Sequence, residues 1–428
     1  MSATVPVTDR LGLLTISGES VFNTANTAAL EHVRCVGAPD RSGLTEDAVV
    51  NDSQRQQFYS LDPIITVKNG QITTSHYLHG ISSSKPTGEP AHNSPEAGSG
   101  TGLDMLLGAI ASAFGNMESG GYIGSIDLTT APSTTTILKE ADLTSFGVGQ
   151  MVTWGTANYP TSGTAYESGW VKSNAAATPD TMGLLFAAAV TPTGNTVYGS
   201  HTIFVKAGQP YLDGTPASFT MRYTDQGGNQ LTCTGCAVTG LSITMNHKEP
   251  ALMQLTWGVA SWSETETGTA PVLTAYSHPE PEAITGAAVV WGTDAATDTR
   301  IVQSISFDLG LTRTPVEDYN EEDGIAGWVT TNIEPKVSFT VYRDAASGRE
   351  VDDYSGNEVS PFSVIFGSQP GKTIGLCIPQ AIITALPTPA SGDLITASVE
   401  LAAGNNSVDT GTPGDAIALG TVCRLAFG

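Results

Sequence analysis

The chain reads as an all-β protein: tandem β-sandwich-like units, a small inserted β module and one packed helix. Three observations lead there. The clearest runs alternate apolar and polar residues with period two. Gly, Pro, Asn and Ser interrupt those runs at strand-like intervals. Only one stretch carries apolar residues at helical spacing.

In chain order, residues 1 to about 60 are polar and weakly patterned, and a short strand is expected near Ile64–Val67. Residues 81–102, "ISSSKPTGEPAHNSPEAGSGTG", form a long Ser/Pro/Gly loop. The helix is expected at about 102–115, where Leu103, Leu106, Leu107, Ile110 and Phe114 recur at helical spacing and Gly115 or Asn116 supplies a stop. From 129 to 204, short apolar runs with dense turn residues predict the inserted module.

The strongest signal is "GCAVTGLSITMNHKEPALMQLTWGVASW", residues 235–262. Leu241, Ile243 and Met245 alternate with Ser242 and Thr244. After Asn246 to Pro250 the phase resumes with Met253, Leu255, Trp257 and Val259. This is a hairpin with one apolar face to bury and one hydroxyl-bearing face for water. The pattern recurs: Val238, Leu241, Ile243 and Met245 align, at one constant offset, with Val302, Ile305, Phe307 and Leu309. The second copy also has a following strand, with Val337, Phe339 and Val341. Shared strand polarity alone is the competing explanation. A Pro/Glu-rich connection at 276–286 marks the expected boundary. The segmentation is therefore 1–128 (N-terminal region with strands and helix of the first unit), 129–204 (module), 205–280 (remainder of the first unit) and 281–428 (second unit).

Composition narrows the function. At 428 residues the chain supports more than one core, and its 42 acidic against 18 basic residues give a formal charge of −24. Such a surface disfavours sequence-specific nucleic-acid binding. The opening stretch, "MSATVPVTDRLGLLTISGES", lacks a secretory leader pattern, and no apolar run approaches membrane-spanning length, so synthesis in the cytoplasm and no membrane partner are expected. Five cysteines, an odd number, point to reduced thiols.

Motifs for chemistry fail on spacing. Gly367, Gly371, Lys372 and Thr373 approach a phosphate loop, but the Gly spacing is one residue short and a β-rich stretch with Pro379 follows where a helix is required. A Gly/Pro turn between strands fits better. Cys233 and Cys236 form a C-x-x-C without a second ligand pair, and His76 and His79 lie far away in sequence. Both sulfurs share a face only if Gly235 makes a turn. Glu317, Asp318, Tyr319, Glu321, Glu322 and Asp323 look like a calcium loop, yet Asp323 stands where the glycine is needed. No catalytic residue, metal site or cofactor is expected.

The order "DLTTAPSTTTILKEADLTSFGVGQMVTW", then "PASFTMRYTDQGGNQLTCTGCAVTGLSITMNHKEPALMQLTWGVASW", then "IVQSISFDLGL" with "IEPKVSFTVYRDA" and "SVIFGSQPGKTIGLCIPQAIIT" resembles tailed-bacteriophage major tail tube proteins of the larger, two-part kind. The resemblance implies a structural virion protein without enzymatic activity. Its inner sheets would join around a ring-shaped β-barrel, and rings would stack into the channel for genome ejection. The implied partners are copies of itself, other tail proteins, and double-stranded DNA passing without specific binding. A trimeric ring of two-unit chains is favoured over a hexameric one. The loop from Leu311 to Pro335, with its acidic cluster, is expected to reach a neighbouring subunit or ring. The alternatives are another tail ring component (terminator or distal tail), a carbohydrate-binding β-sandwich, and a glycoside hydrolase or esterase on a β scaffold.

Overall fold

The computed structural model describes residues 12–27, 30–49, 64–78, 110, 125–127, 137–140, 146–156, 166–175, 180–185, 195–206, 218–266, 283–284, 287–292, 300–321, 323–342, 354–367, 373–385, 388–390, 396–404 and 421–427. The chain is all-β. The first strands are β1 (Leu13–Gly18), β2 (Glu31–Val33), β3 (Leu44–Val49) and β4 (Ile64–Tyr77). Next come β5 (Ser125–Asp127), β6 (Ile137–Glu140), β7 (Met151–Thr156), β8 (Tyr166–Ala175), β9 (Asp180–Leu185) and β10 (Asn195–Gly199). Then follow β11 (His201–Lys206), β12 (Phe219–Thr224), β13 (Asn229–Asn246), β14 (Leu252–Val259), β15 (Ser261–Glu266) and β16 (Ala288–Trp291). The remainder are β17 (Val302–Asp308), β18 (Leu311–Glu317), β19 (Ile325–Ile333), β20 (Lys336–Tyr342), β21 (Val359–Phe366), β22 (Ile374–Ile383), β23 (Thr388–Ala390), β24 (Thr396–Ala403) and β25 (Thr421–Phe427).

Eight of these strands form one continuous antiparallel surface in the order β3-β4-β14-β13-β17-β20-β24-β23. Alternation decides its two faces. Ile72, Leu241, Ile243, Met253, Leu255, Trp257, Phe307, Val337, Phe339 and Val399 are buried on one side. That side meets two smaller groups of strands: β2-β1-β12-β13-β15 and β16-β21-β22-β25-β11. Phe219 of β12 meets Trp257 of β14 edge-on at 6.4 Å between ring centroids. Phe339 of β20 stacks on Phe362 of β21 at 5.3 Å. Each such buried side chain contributes about 1.5–3 kcal/mol of apolar burial, and one apolar cluster runs through both contact regions.

β13 is long because it serves both layers. Its first half pairs with β12 and β15, its second with β14 and β17. Gly235 sits at the bend with φ +59°, and a Cβ there would meet Ala260 Cβ at 2.5 Å, so glycine is required on two counts. A related pairing pattern returns at β22: β25 pairs with its first residues, Ile374 to Cys377, and β24 with its last, Ala381 to Ile383, while β21 runs alongside from Ile374 to Ile382. In both places the register with the preceding strand shifts by a bulge, between Phe219 and Met221 in one and between Ser360 and Phe362 in the other. Ile243 opposite Met253 corresponds to Thr388 opposite Ser398, the two members of the pair displaced along the chain by the same amount.

This changes the reading of the constant offset between β13 and β17. These two strands lie side by side and run in opposite directions, with Ile243 directly opposite Phe307. They occupy different places in the pairing order. Their likeness reflects a shared demand, one buried face beside one hydroxyl face. The recurrence in topology instead sets β12-β13-β14 against β21-β22/β23-β24, with the β3-β4 pair matching β17-β20.

Three further expectations are corrected. The region before Ile64, expected to be weakly patterned, supplies β1, β2 and β3, and the short strand expected at Ile64–Val67 extends to Tyr77. Leu311 to Pro335 is a β-hairpin, β18 with β19, instead of a loop. The inserted sheet, β5-β10-β7-β8-β9-β6, spans Ser125–Gly199, whereas β11 joins β25 in the larger network. Of the helix expected at 102–115, only Ile110 lies among the described residues; it is helical and fully buried.

The module has its own core of Phe146, Val152, Trp154, Val171, Met182 and Val197. It meets the larger network through Met151 and Trp170, which pack on Val290, Ile365, Cys377 and Ala426. The Trp170 indole donates to Ser363 Oγ at 2.9 Å. Gly375 lets them approach, since a Cβ there would stand 2.9 Å from Trp170 Cζ2.

Candidate functional site

The feature with most functional content is the solvent face of the eight-stranded surface. One row across it runs Ser75, Gln254, Ser242, Asp308 and Lys336, and the next runs Tyr77, Leu252, Thr244, Ser306, Ser338 and Glu400. A third runs Asn246, Ser304, Thr340 and Ser398. Hydroxyls and amides pave the face. On β13, β14, β17, β20 and β24 its charged members are Asp308, Lys336 and Glu400, and the first two stand directly opposite each other. The chain's acidity therefore lies mainly elsewhere.

The two ends of this surface are strand edges. Among the described residues, β3 pairs only with β4 and β23 only with β24. Gly43 O accepts from Gln71 N at 3.0 Å, so the alternation of an antiparallel ladder directs the Glu46 amide away from β4. An edge of this kind is a template for another strand.

The β18–β19 hairpin carries the acidic cluster and folds back along the first half of β13. Trp328 is buried, and its indole donates to Gly235 O at 3.0 Å. Arg313 donates to Val238 O at 3.2 Å and to Trp328 O at 3.3 Å, and burial lowers its pKa to about 10. Asn23 Nδ2 donates to Asp323 Oδ2 at 2.7 Å. Sequence reasoning missed these anchors; the signal available was a tryptophan and an arginine inside an otherwise exposed hairpin. At the tip, Asp318 Oδ1 accepts from the Asn320 amide and side chain, and Gly324 closes the turn with φ +73°. Glu317, Tyr319 and Glu321 face solvent, Asp318 and Asp323 are half-buried, and Glu322 lies outside the described residues.

The remaining candidates do not converge. Cys233 and Cys236 are both fully buried, brought to one side by the Gly235 bend. Burial, then the Cys233 thiol, pushes the Cys236 thiol well above its usual range. His76 is buried, with Nδ1 2.7 Å from Arg34 O and Nε2 2.8 Å from Thr74 Oγ1, which also accepts from the Trp257 indole. That arrangement ties two strands; His79 lies outside the described residues. Gly367 and Thr373 flank the connection between the antiparallel neighbours β21 and β22, while Gly371 and Lys372 lie outside the described residues. Among the described residues no group of three or more His, Cys, Asp or Glu side chains is placed to hold a metal ion, and no helix is long and apolar enough to cross a membrane. No protein-family model and no curated protein matches the chain.

Proposed function

We propose that the chain is a structural subunit of a phage-type tail tube, closing with copies of itself into rings that stack around a channel for genome ejection. The observation that carries this reading is the internal β13–β17 junction. β13 corresponds to β22/β23 and β17 to β3 in the recurring topology, so the edge at β23 and the edge at β3 are the two halves of a junction already made once inside the chain. Their directions fit: eight alternating antiparallel strands leave the outer two pointing oppositely, and β3 of one copy meets β23 of the next antiparallel. A ring of three chains with two tube-like sandwich units each then has pseudo-sixfold symmetry and no exposed edge.

The hydroxyl-paved face becomes the channel wall. A wall with few cations gives a phosphate backbone little to bind. No catalytic role is part of this reading, and its site of action is the virion.

Electron microscopy of the purified chain in negative stain is expected to show rings and stacked tubes. Glu46→Pro removes one outward amide at the β3 edge, a position where the isolated chain tolerates proline. It is expected to melt within a few degrees of the parent chain and to form no rings. Rings formed by this variant would count against closure through β3.

A further inference from the structure

The two smaller strand groups match in register and differ sharply in one side chain. Leu14 stands opposite Tyr223 across β1 and β12, and Val289 stands opposite Val364 across β16 and β21. The bulges make these pairs equivalent, because Tyr223 follows Met221, and Val364 follows Phe362, at the same distance past the same kind of register shift. All four side chains are buried. A phenol ring in one group therefore corresponds to an isopropyl group in the other.

The surroundings of the ring recur as well. The Tyr223 hydroxyl reaches Gly12, two residues before Leu14, where a Cβ would collide with it, and Arg41, shortly before β3, lies over the ring, 5.8 Å from its centroid. In the second group the counterparts are Ala287, two residues before Val289, and Arg300, shortly before β17. Both line a pocket of about 290 Å³, whose other walls among the described residues include Val302, Ile305, Val364 and Phe366. The pocket is the space that Tyr223 takes up in the first group. Deeper between the layers no such space is left, since Trp291 and Phe362 stand where the first group has Ile16 and Met221.

The lining decides what fits. Arg300 is turned to the Trp291 ring, 6.0 Å from its centroid, with Nε and Nη2 buried, so recognition rests on shape and apolar contact and the ligand is neutral. At the mouth, the exposed Gln303 and His247 offer hydrogen-bonding groups to a ring N–H or O–H. An apolar cavity of about 150 Å³ already holds benzene, and this volume lies just below the range of about 300–1,000 Å³ typical of small-molecule sites. One or two fused rings match it better than an extended ligand.

We propose that this pocket is a binding site for a small neutral aromatic molecule, of the size of a phenol or an indole, lying where the Tyr223 side chain lies in the first strand group. The site is independent of the tube reading, which rests on strand edges.

In equilibrium dialysis against the full chain, labelled indole is expected to bind at one site per chain with a Kd of about 1 mM or tighter. Val364→Tyr gives the second group the ring of the first and is expected to weaken that binding at least about tenfold. Indole carrying a diazirine, photolysed on the parent chain, is expected to label peptides containing Val302–Ile305 or Val364–Phe366, and this labelling decides alone if the variant does not fold. Absence of saturable binding, undiminished binding to folded Val364→Tyr, or label confined to other peptides would overturn the site.

Discussion

Cys377 and Arg424 face each other across β22 and β25, both fully buried. Their ionisation opposes in sign. Burial pushes the Cys377 thiol up to about 12, and Cys35 likewise, while Cys236 and Cys423 are raised in the same direction. Burial also lowers Arg424 to about 10, although its guanidinium reaches Thr421 Oγ1 and lies over Phe204. From about pH 9 upward the unfolded chain loses thiol protons that the folded chain keeps, so stability falls. Above about pH 10 the two arginines act oppositely, because the unfolded chain then binds protons that folded Arg313 and Arg424 have released. Urea unfolding at stepped pH is expected to show the steepest loss between pH 9 and 10 and a shallower one beyond. Thiol titration at pH 8 is expected to find the buried cysteines unreactive until urea is added.

At the scale of elements, the β18–β19 hairpin is held by Trp328 lying where a Cβ at Gly258 would stand. Gly258→Ala is therefore expected to expel the indole, costing about 1–3 kcal/mol, and to expose the hairpin to proteolysis. A red shift in tryptophan emission without loss of β-sheet circular dichroism would report it. How far sequence discloses an element depends on where its partners lie. β13, β14 and β20 were legible because one of their faces is buried and the other wet, which writes period two into the residues. β1, "LLTISG", alternates Leu14 and Ile16 with Thr15 and Ser17 but is too short to stand out, and Asn69 and Gly70, the latter with φ +141°, interrupt the apolar pattern of β4. Pro315 lies within β18 opposite Trp328, where a two-stranded hairpin tolerates it. The acidic tip was legible as surface. Its attachment was not, since Arg313 and Trp328 reach partners 75 and 93 residues away.

At the scale of the whole molecule, the proposed tube would have a channel set by strand number. Strands about 4.8 Å apart, tilted about 40°, give a closed barrel of three eight-stranded chains a backbone diameter of roughly 50 Å, and one of six chains roughly twice that. A barrel of eight strands alone would be filled by its own side chains. A cross-section of the assembled tube, reconstructed without imposed symmetry, is expected to show three chains around an inner wall of the smaller diameter. Six equivalent chains would contradict the internal recurrence of β12-β13-β14 in β21-β22-β24.

The pairing of β1 with β12 and of β4 with β14 also sets a timetable for synthesis. Leu14 waits for Tyr223, and Thr74 for Leu255. At about 5–20 residues per second, the ribosome takes roughly 10–40 s to deliver those partners. During that interval β3 and β4 can form no more than a hairpin with both edges bare, while the inserted module, whose contacts are local, completes its own sheet. The chain is therefore most exposed to wrong pairing before Val259 has emerged, when a nascent neighbour on the same message offers the same edges.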